Sequence, residues 1–151
     1  MGNGLHEMVV DASIGDVWQY ISNLGYWAPL VPGYIEHKII SDKVSEWKFK
    51  IDIGLMRKKI QARVNITEWI KPSRVTFSIT GLNEKFTGGG SFEAEKSSEF
   101  QTTVKGRLAI NTYSPIEKII TPILDKTVPD MTAELTTNVA REIEKRFSCR
   151  R

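Results

Sequence analysis

The chain reads as an α+β domain: a curved antiparallel sheet of about seven strands, covered by a long C-terminal helix, with one or two short helices between the first two strands. Three observations carry this. Apolar and polar residues alternate almost without a break from Ile35 to Asn111, the period of half-buried strands. Met131, Leu135, Val139, Ile143 and Phe147 recur every four positions, one face of a helix. A sheet with one apolar face cannot bury it unaided, so the two patterns require each other.

The elements follow in order. Leu5 to Val10 reads as a short strand running into a helix over about residues 14–22, with Ser13 and Asp16 at capping spacing and Ile14, Val17, Trp18 and Ile21 on one side. The next stretch, LGYWAPLVPGY, is apolar but interrupted by Pro29, Pro32 and Gly33, which permits one further helical turn at most. Six strands fill the alternating region. In the first of the long ones Trp47, Phe49, Ile51 and Ile53 oppose Lys48, Lys50 and Asp52; then Ile60, Ala62, Val64 and Ile66 oppose Gln61, Arg63, Asn65 and Thr67. Val75, Phe77 and Ile79 share one face, and so do Val104, Leu108 and Ile110. A terminal helix opens at Ser114 and Pro115, and Pro122 and Pro129 predict a kink or a restart within it.

The segment KFTGGGSFEAE, Lys85 to Glu95, carries three consecutive glycines. A phosphate-cradling loop would lead into a helix, whose free amides hold the anion. Here Gly88, Gly90, Phe92 and Ala94 fall on one parity and Gly89, Ser91, Glu93 and Glu95 on the other. The glycines therefore belong to a strand, where they mark a bend or a close approach by a ligand or by other backbone.

At 151 residues the chain suits a single domain spanning 1–151, with a basic tail from about residue 148. Its only cysteine, Cys149, leaves no partner for an intramolecular disulfide and suits a reducing compartment. The first residues, MGNGLHEM, carry no cationic start followed by an apolar run, and no stretch approaches membrane-span length. A cytoplasmic protein is expected. A net charge of +3 is too mild a bias for nucleic-acid binding.

Catalytic candidates are few. His6 and His37 sit in separate strands with no second ligand at metal spacing, so neither a metal nor another cofactor is expected. Cys149 lies beyond the last periodic residue with no base beside it. Glu36, Asp52, Glu93 and Glu95 mostly fall on the wet parity, and Glu68 and Trp69 near a strand end are harder to place. No catalytic residue is assigned, and binding is the simpler expectation. Aromatic residues could line a pocket for a flat apolar ligand, with the polar tips of Trp27, Tyr34 and Trp47 orienting a carbonyl at its mouth. Two basic clusters, Arg57-Lys58-Lys59 and the tail KRFSCRR with Arg150 and Arg151, would suit anionic lipid headgroups.

The order of elements, with DVWQYISNLGYWAPLVPGY between the first two strands, resembles the START-like helix-grip superfamily, also called SRPBCC. Within it the chain is most similar to the CoxG family, which takes its name from a component of carbon monoxide dehydrogenase. Val17-Trp18, Pro32-Gly33, IDIGLMRKKIQARVNITEW, GGGSFEAE and Thr102-Thr103 sit where that family has similar residues. The likeness covers about residues 5–111; the terminal NTYSPIEKIITPILDKTVPD differs from the glycine-rich stretch frequent in the family.

The resemblance implies a sheet gripping the terminal helix around an apolar cavity, with Gly88 and Gly90 leaving room for helix or ligand. Its expected lining begins with Trp18, Trp27 and Tyr34 near the short helices. The strands would add Trp47, Phe49, Ile51 and Val64, then Phe77, Ile79, Phe92 and Leu108, and the terminal helix Met131, Leu135 and Val139. The function implied is carriage of a lipophilic small molecule, a quinone or a lipid, in the service of a membrane-linked redox enzyme, with peripheral contact to anionic membrane. Two alternatives attach to the same likeness: a polyketide cyclase or hydrolase, and an accessory subunit of a molybdenum hydroxylase.

Overall fold

The computed structural model describes residues 2–53, 56–83, 85–112 and 117–147, the side chains of 52, 53, 56 and 117–124 excepted. Strand β1 (Gly2–Val10) leads into α1 (Ile14–Ile21), where the Ser13 hydroxyl accepts the Asp16 amide at 3.3 Å, as the capping pattern predicted. A single turn, α2 (Leu24–Trp27), and a 3₁₀ turn at Ala28–Leu30 follow. The proline-broken stretch thus makes two short turns. Asn23 caps the first, its side chain accepting the Gly25 amide.

Six further strands follow: β2 (Tyr34–Ile39), β3 (Val44–Ile53), β4 (Met56–Ile70), β5 (Arg74–Gly81), β6 (Phe86–Ser98) and β7 (Gln101–Thr112). They pair antiparallel in the order β1-β7-β6-β5-β4-β3-β2, so that the first strand closes onto the last. Helix α3 (Glu117–Phe147) lies across this sheet, chiefly against β1 and β7. This is a helix-grip fold.

The helix runs unbroken for 31 residues through Pro122 and Pro129, so the expected restart does not occur. A proline removes one intrahelical hydrogen bond, a loss that tertiary packing offsets. Helix packing there is firm: Val128, beside Pro129, is 1% exposed. The expected opening at Ser114 and Pro115 lies outside the described residues.

The alternation of the sheet matches its burial: Trp47, Ile60, Ala62, Val64, Ile66, Val75 and Phe77 are all buried. A register shift between Ile66 and Glu68 places Glu68 opposite Thr76. That bulge turns Glu68 outward, where it pairs with Arg74 at 3.2 Å, while Trp69 stacks under the Lys43 ammonium.

Candidate functional site

The buried apolar residues form two groups. The larger centres on Trp27, which meets Trp47 edge to face at 5.4 Å and Phe92 at 4.9 Å, with Phe77 tilted against it at 5.4 Å. Each such ring contributes about 1.5–3 kcal/mol by its burial, making this the firm end of the interior. The smaller group is Ile60, Ala62 and Phe86. Phe49 and Ile79 pack on both.

Residues of both groups line a cavity of about 180 Å³ beneath α3. Trp27, Val31 and Pro32 contribute from the short turns, and Trp47, Phe49 and Ile51 from β3. Ile60, Ala62 and Val64 add β4, Phe77 and Ile79 add β5, and Leu108 and Ile110 add β7. Val128, Met131 and Leu135 close it from the helix. The wall has few polar residues: Lys85, Thr112 and Thr127. Lys85 and Thr112 belong to one end, because Phe86, next to Lys85, pairs with Thr112 across β6 and β7.

The Thr112 hydroxyl oxygen is buried without a hydrogen-bond partner among the described residues. Such an orphaned hydroxyl costs about 1–3 kcal/mol. No ion pair to Lys85 occurs among the described residues. The wall carries no Asp, Glu, His or Tyr among those residues.

Several expected site residues lie elsewhere. Trp18 packs on the core and lines an external groove with Trp69 and Lys71. Tyr34 lies outside the cavity wall, its hydroxyl 2.7 Å from His37 Nδ1. Phe92 and Val139 are packed core behind the wall, 2% and 0% exposed. The indole N–H groups of Trp27 and Trp47 donate to the Ile21 carbonyl and the Ser45 hydroxyl. The expected carbonyl-orienting tips are therefore already engaged.

Gly88 and Gly90 sit on the inward parity, opposite Ile79 and Phe77, but do not line the cavity. A Cβ on Gly88 would strike the Ala109 carbonyl oxygen and Ile110 Cδ1; one on Gly90 would strike the Arg107 carbonyl oxygen and the Phe77 ring. The glycines make room for neighbouring strands and for the side chains that form the wall. The helix instead approaches at Gly4 and Gly106, over which Thr132 and Thr136 stand.

Of the carboxylates, Glu93 pairs with Arg107 at 3.2 Å and Glu36 with Lys48 at 3.1 Å, both on the wet face. The Asp52 side chain, Cys149, Arg150 and Arg151 lie outside the described residues. Arg57 and Lys59 are exposed, whereas Lys58 is half-buried opposite Ile51 on the inward parity. Parity could have pointed to Ile60, Ala62 and Ile110, but no local signal marks Lys85, Thr112 or Thr127.

A curved sheet holding a long helix over an apolar cavity is the helix-grip architecture. A family model described only as "-like" matches residues 2–147, and the solved structures of a START superfamily protein and of an aromatase/cyclase share the fold. The fold is the one found in a START superfamily protein.

Three of the similar structures are a conserved protein from Geobacillus kaustophilus, the ZhuI aromatase/cyclase from Streptomyces sp. R1128 and a START superfamily protein from Mycobacterium smegmatis. The first is 14% identical with a TM-score of 0.79, covering 96% of this chain and 97% of its own. The cyclase is 13% identical with a TM-score of 0.74, covering 95% and 94%. The third is 10% identical with a TM-score of 0.71, covering 96% and 99%. No curated protein matches the chain by sequence. No described helix is long and apolar enough to cross a membrane.

Proposed function

We propose that this protein binds and carries a lipophilic small molecule in the cavity between its sheet and α3. One observation carries the reading: an apolar cavity interrupts a core that is otherwise closely packed. Protein interiors leave few voids larger than a water molecule, and an apolar void of about 150 Å³ stays dry and accepts a benzene-sized guest. At about 180 Å³ the space suits one ring with a short substituent; a long prenyl tail or an acyl chain would require α3 to shift. The quinone or lipid implied by the CoxG resemblance therefore enters by its ring or head end.

On this reading Arg57 and Lys59 meet anionic membrane, the protein works in the cytoplasm, and a membrane-linked redox enzyme receives the cargo. Neither the CoxG assignment nor a role beside a molybdenum hydroxylase draws support from the comparisons. The likeness to an aromatase/cyclase favours a second reading, cyclase or hydrolase chemistry. A general acid or base for it would have to come from Lys85 or from outside the described residues, so carriage is preferred.

Native mass spectrometry of protein purified from its own source, followed by organic extraction, tests the proposal. A co-purifying apolar compound, displaced stoichiometrically by trans-β-methylstyrene, is the expected result. Protein that is free of adduct and takes up no trans-β-methylstyrene would overturn it.

A further inference from the structure

We propose that the ligand carries a carboxylate, or an equivalent compact anionic head, held at the Lys85–Thr112 end of the cavity while its apolar body lies toward Trp27. This rests on the carrier reading and narrows it. Three observations converge. The wall is apolar except at Lys85, Thr112 and Thr127. The Thr112 hydroxyl is buried and unpartnered among the described residues, which is unfavourable until an acceptor or donor arrives. The Lys85 ammonium has no carboxylate partner among those residues, and its residue pairs neighbour to neighbour with Thr112 through Phe86.

A hydroxyl donor and a cation in one wall select an oxygen anion. A charge-assisted hydrogen bond is shorter and stronger than a neutral one; Lys85 is exposed, so its charge is partly screened by solvent and acts most strongly at low salt. Near Trp27 both indole N–H donors are engaged. The Lys85–Thr112 end is therefore the favoured place for an anionic head. Cavity size sets the rest: an aromatic ring bearing a short acid side chain fits about 180 Å³ without displacing α3.

Two near-isosteric probes separate head from body: trans-cinnamate, ionised at neutral pH, and the hydrocarbon trans-β-methylstyrene. Titration calorimetry of the full chain at low salt should give cinnamate about a tenfold lower Kd. Thr112→Val and Lys85→Met should each remove most of that advantage and leave the hydrocarbon's Kd within about twofold, while Lys85→Arg should retain it. Melting curves matching the parent would show the variants folded. Equal affinity for both probes, or equal loss of both in Thr112→Val, would overturn the head-group assignment and leave the carrier reading standing. If neither probe binds, both readings fall together.

Discussion

Thr136 of α3 stands directly over Gly106 of β7, its hydroxyl filling the space that a Cβ at that position would need. One turn earlier Thr132 covers Gly4 of β1 in the same way, its hydroxyl donating to the Val128 carbonyl at 2.7 Å. These two contacts set how closely the helix lies on the sheet, and so how much space remains beneath its first half.

Gly106→Ala should therefore destabilise the domain by about 1–3 kcal/mol, because the neighbouring Phe92 ring is also in contact and the helix must lift. Thr136→Ala should be nearly neutral, since it removes a buried hydroxyl that has no partner among the described residues. The double variant should recover at least about 1 kcal/mol relative to the sum of the singles. Additive losses in urea melts would show that the helix and strand do not meet there.

Ala62 is fully buried and lies in the cavity wall. Ala62→Leu should project three carbons into free space, each newly buried methylene contributing about 0.8 kcal/mol before strain. A melting temperature equal to or higher than the parent's is expected, with uptake of trans-β-methylstyrene reduced at least about tenfold. Unchanged uptake would move the ligand site elsewhere; a lower melting temperature would mean that the space is already filled.

Burial raises the Tyr20 phenol from 10.0 to about 12, with the Glu142 carboxylate adding to the rise and Arg146 opposing it. Its hydroxyl donates to the Tyr26 carbonyl at 2.9 Å. Ionisation is thus disfavoured in the folded state. The sign follows: this contribution is complete below pH 10, and it declines as pH rises toward about 12. Stability measured by urea melts should fall more steeply over that interval than in Tyr20→Phe, which loses about 1 kcal/mol at neutral pH with the hydrogen bond. Parallel pH profiles would remove Tyr20 from the alkaline transition.

Membrane contact through Arg57 and Lys59 predicts sedimentation with anionic but not neutral liposomes at low salt. Each basic residue near such a surface contributes about 1 kcal/mol, screened at moderate salt. Arg57→Gln with Lys59→Gln should lower binding about tenfold or more. Identical sedimentation with both lipid types would eliminate the membrane contact.

Much of the architecture was legible because it rests on local periodicity. Trp47, Val64 and Phe77 could be assigned to the interior from alternation alone, since a strand turns successive side chains to opposite faces. Glu68 escaped that rule because a bulge breaks the count, and α3 passed through two prolines because packing outweighs a lost backbone hydrogen bond. The site was legible only in part. Parity indicated which residues face inward, and it could not distinguish Phe92, packed behind Trp27, from Phe49 on the cavity wall.

The sequence by itself determined the order of the elements, the apolar face of the sheet and its need for a covering helix, because these follow from side-chain period and from the cost of exposing apolar surface. Tertiary structure alone decided where the helix touches and where it stands away. Gly4 and Gly106 admit Thr132 and Thr136 close to β1 and β7, while the triple-glycine strand only makes room for its neighbours. It also decided which polar groups are satisfied, bringing the Trp27 indole to the Ile21 carbonyl and leaving the Thr112 hydroxyl without a partner among the described residues, in the wall that Lys85 shares. The contacts of Thr132 and Thr136 with Gly4 and Gly106, and the meeting of Lys85 and Thr112 in one wall, join residues far apart in the chain, whose distances no local pattern encodes.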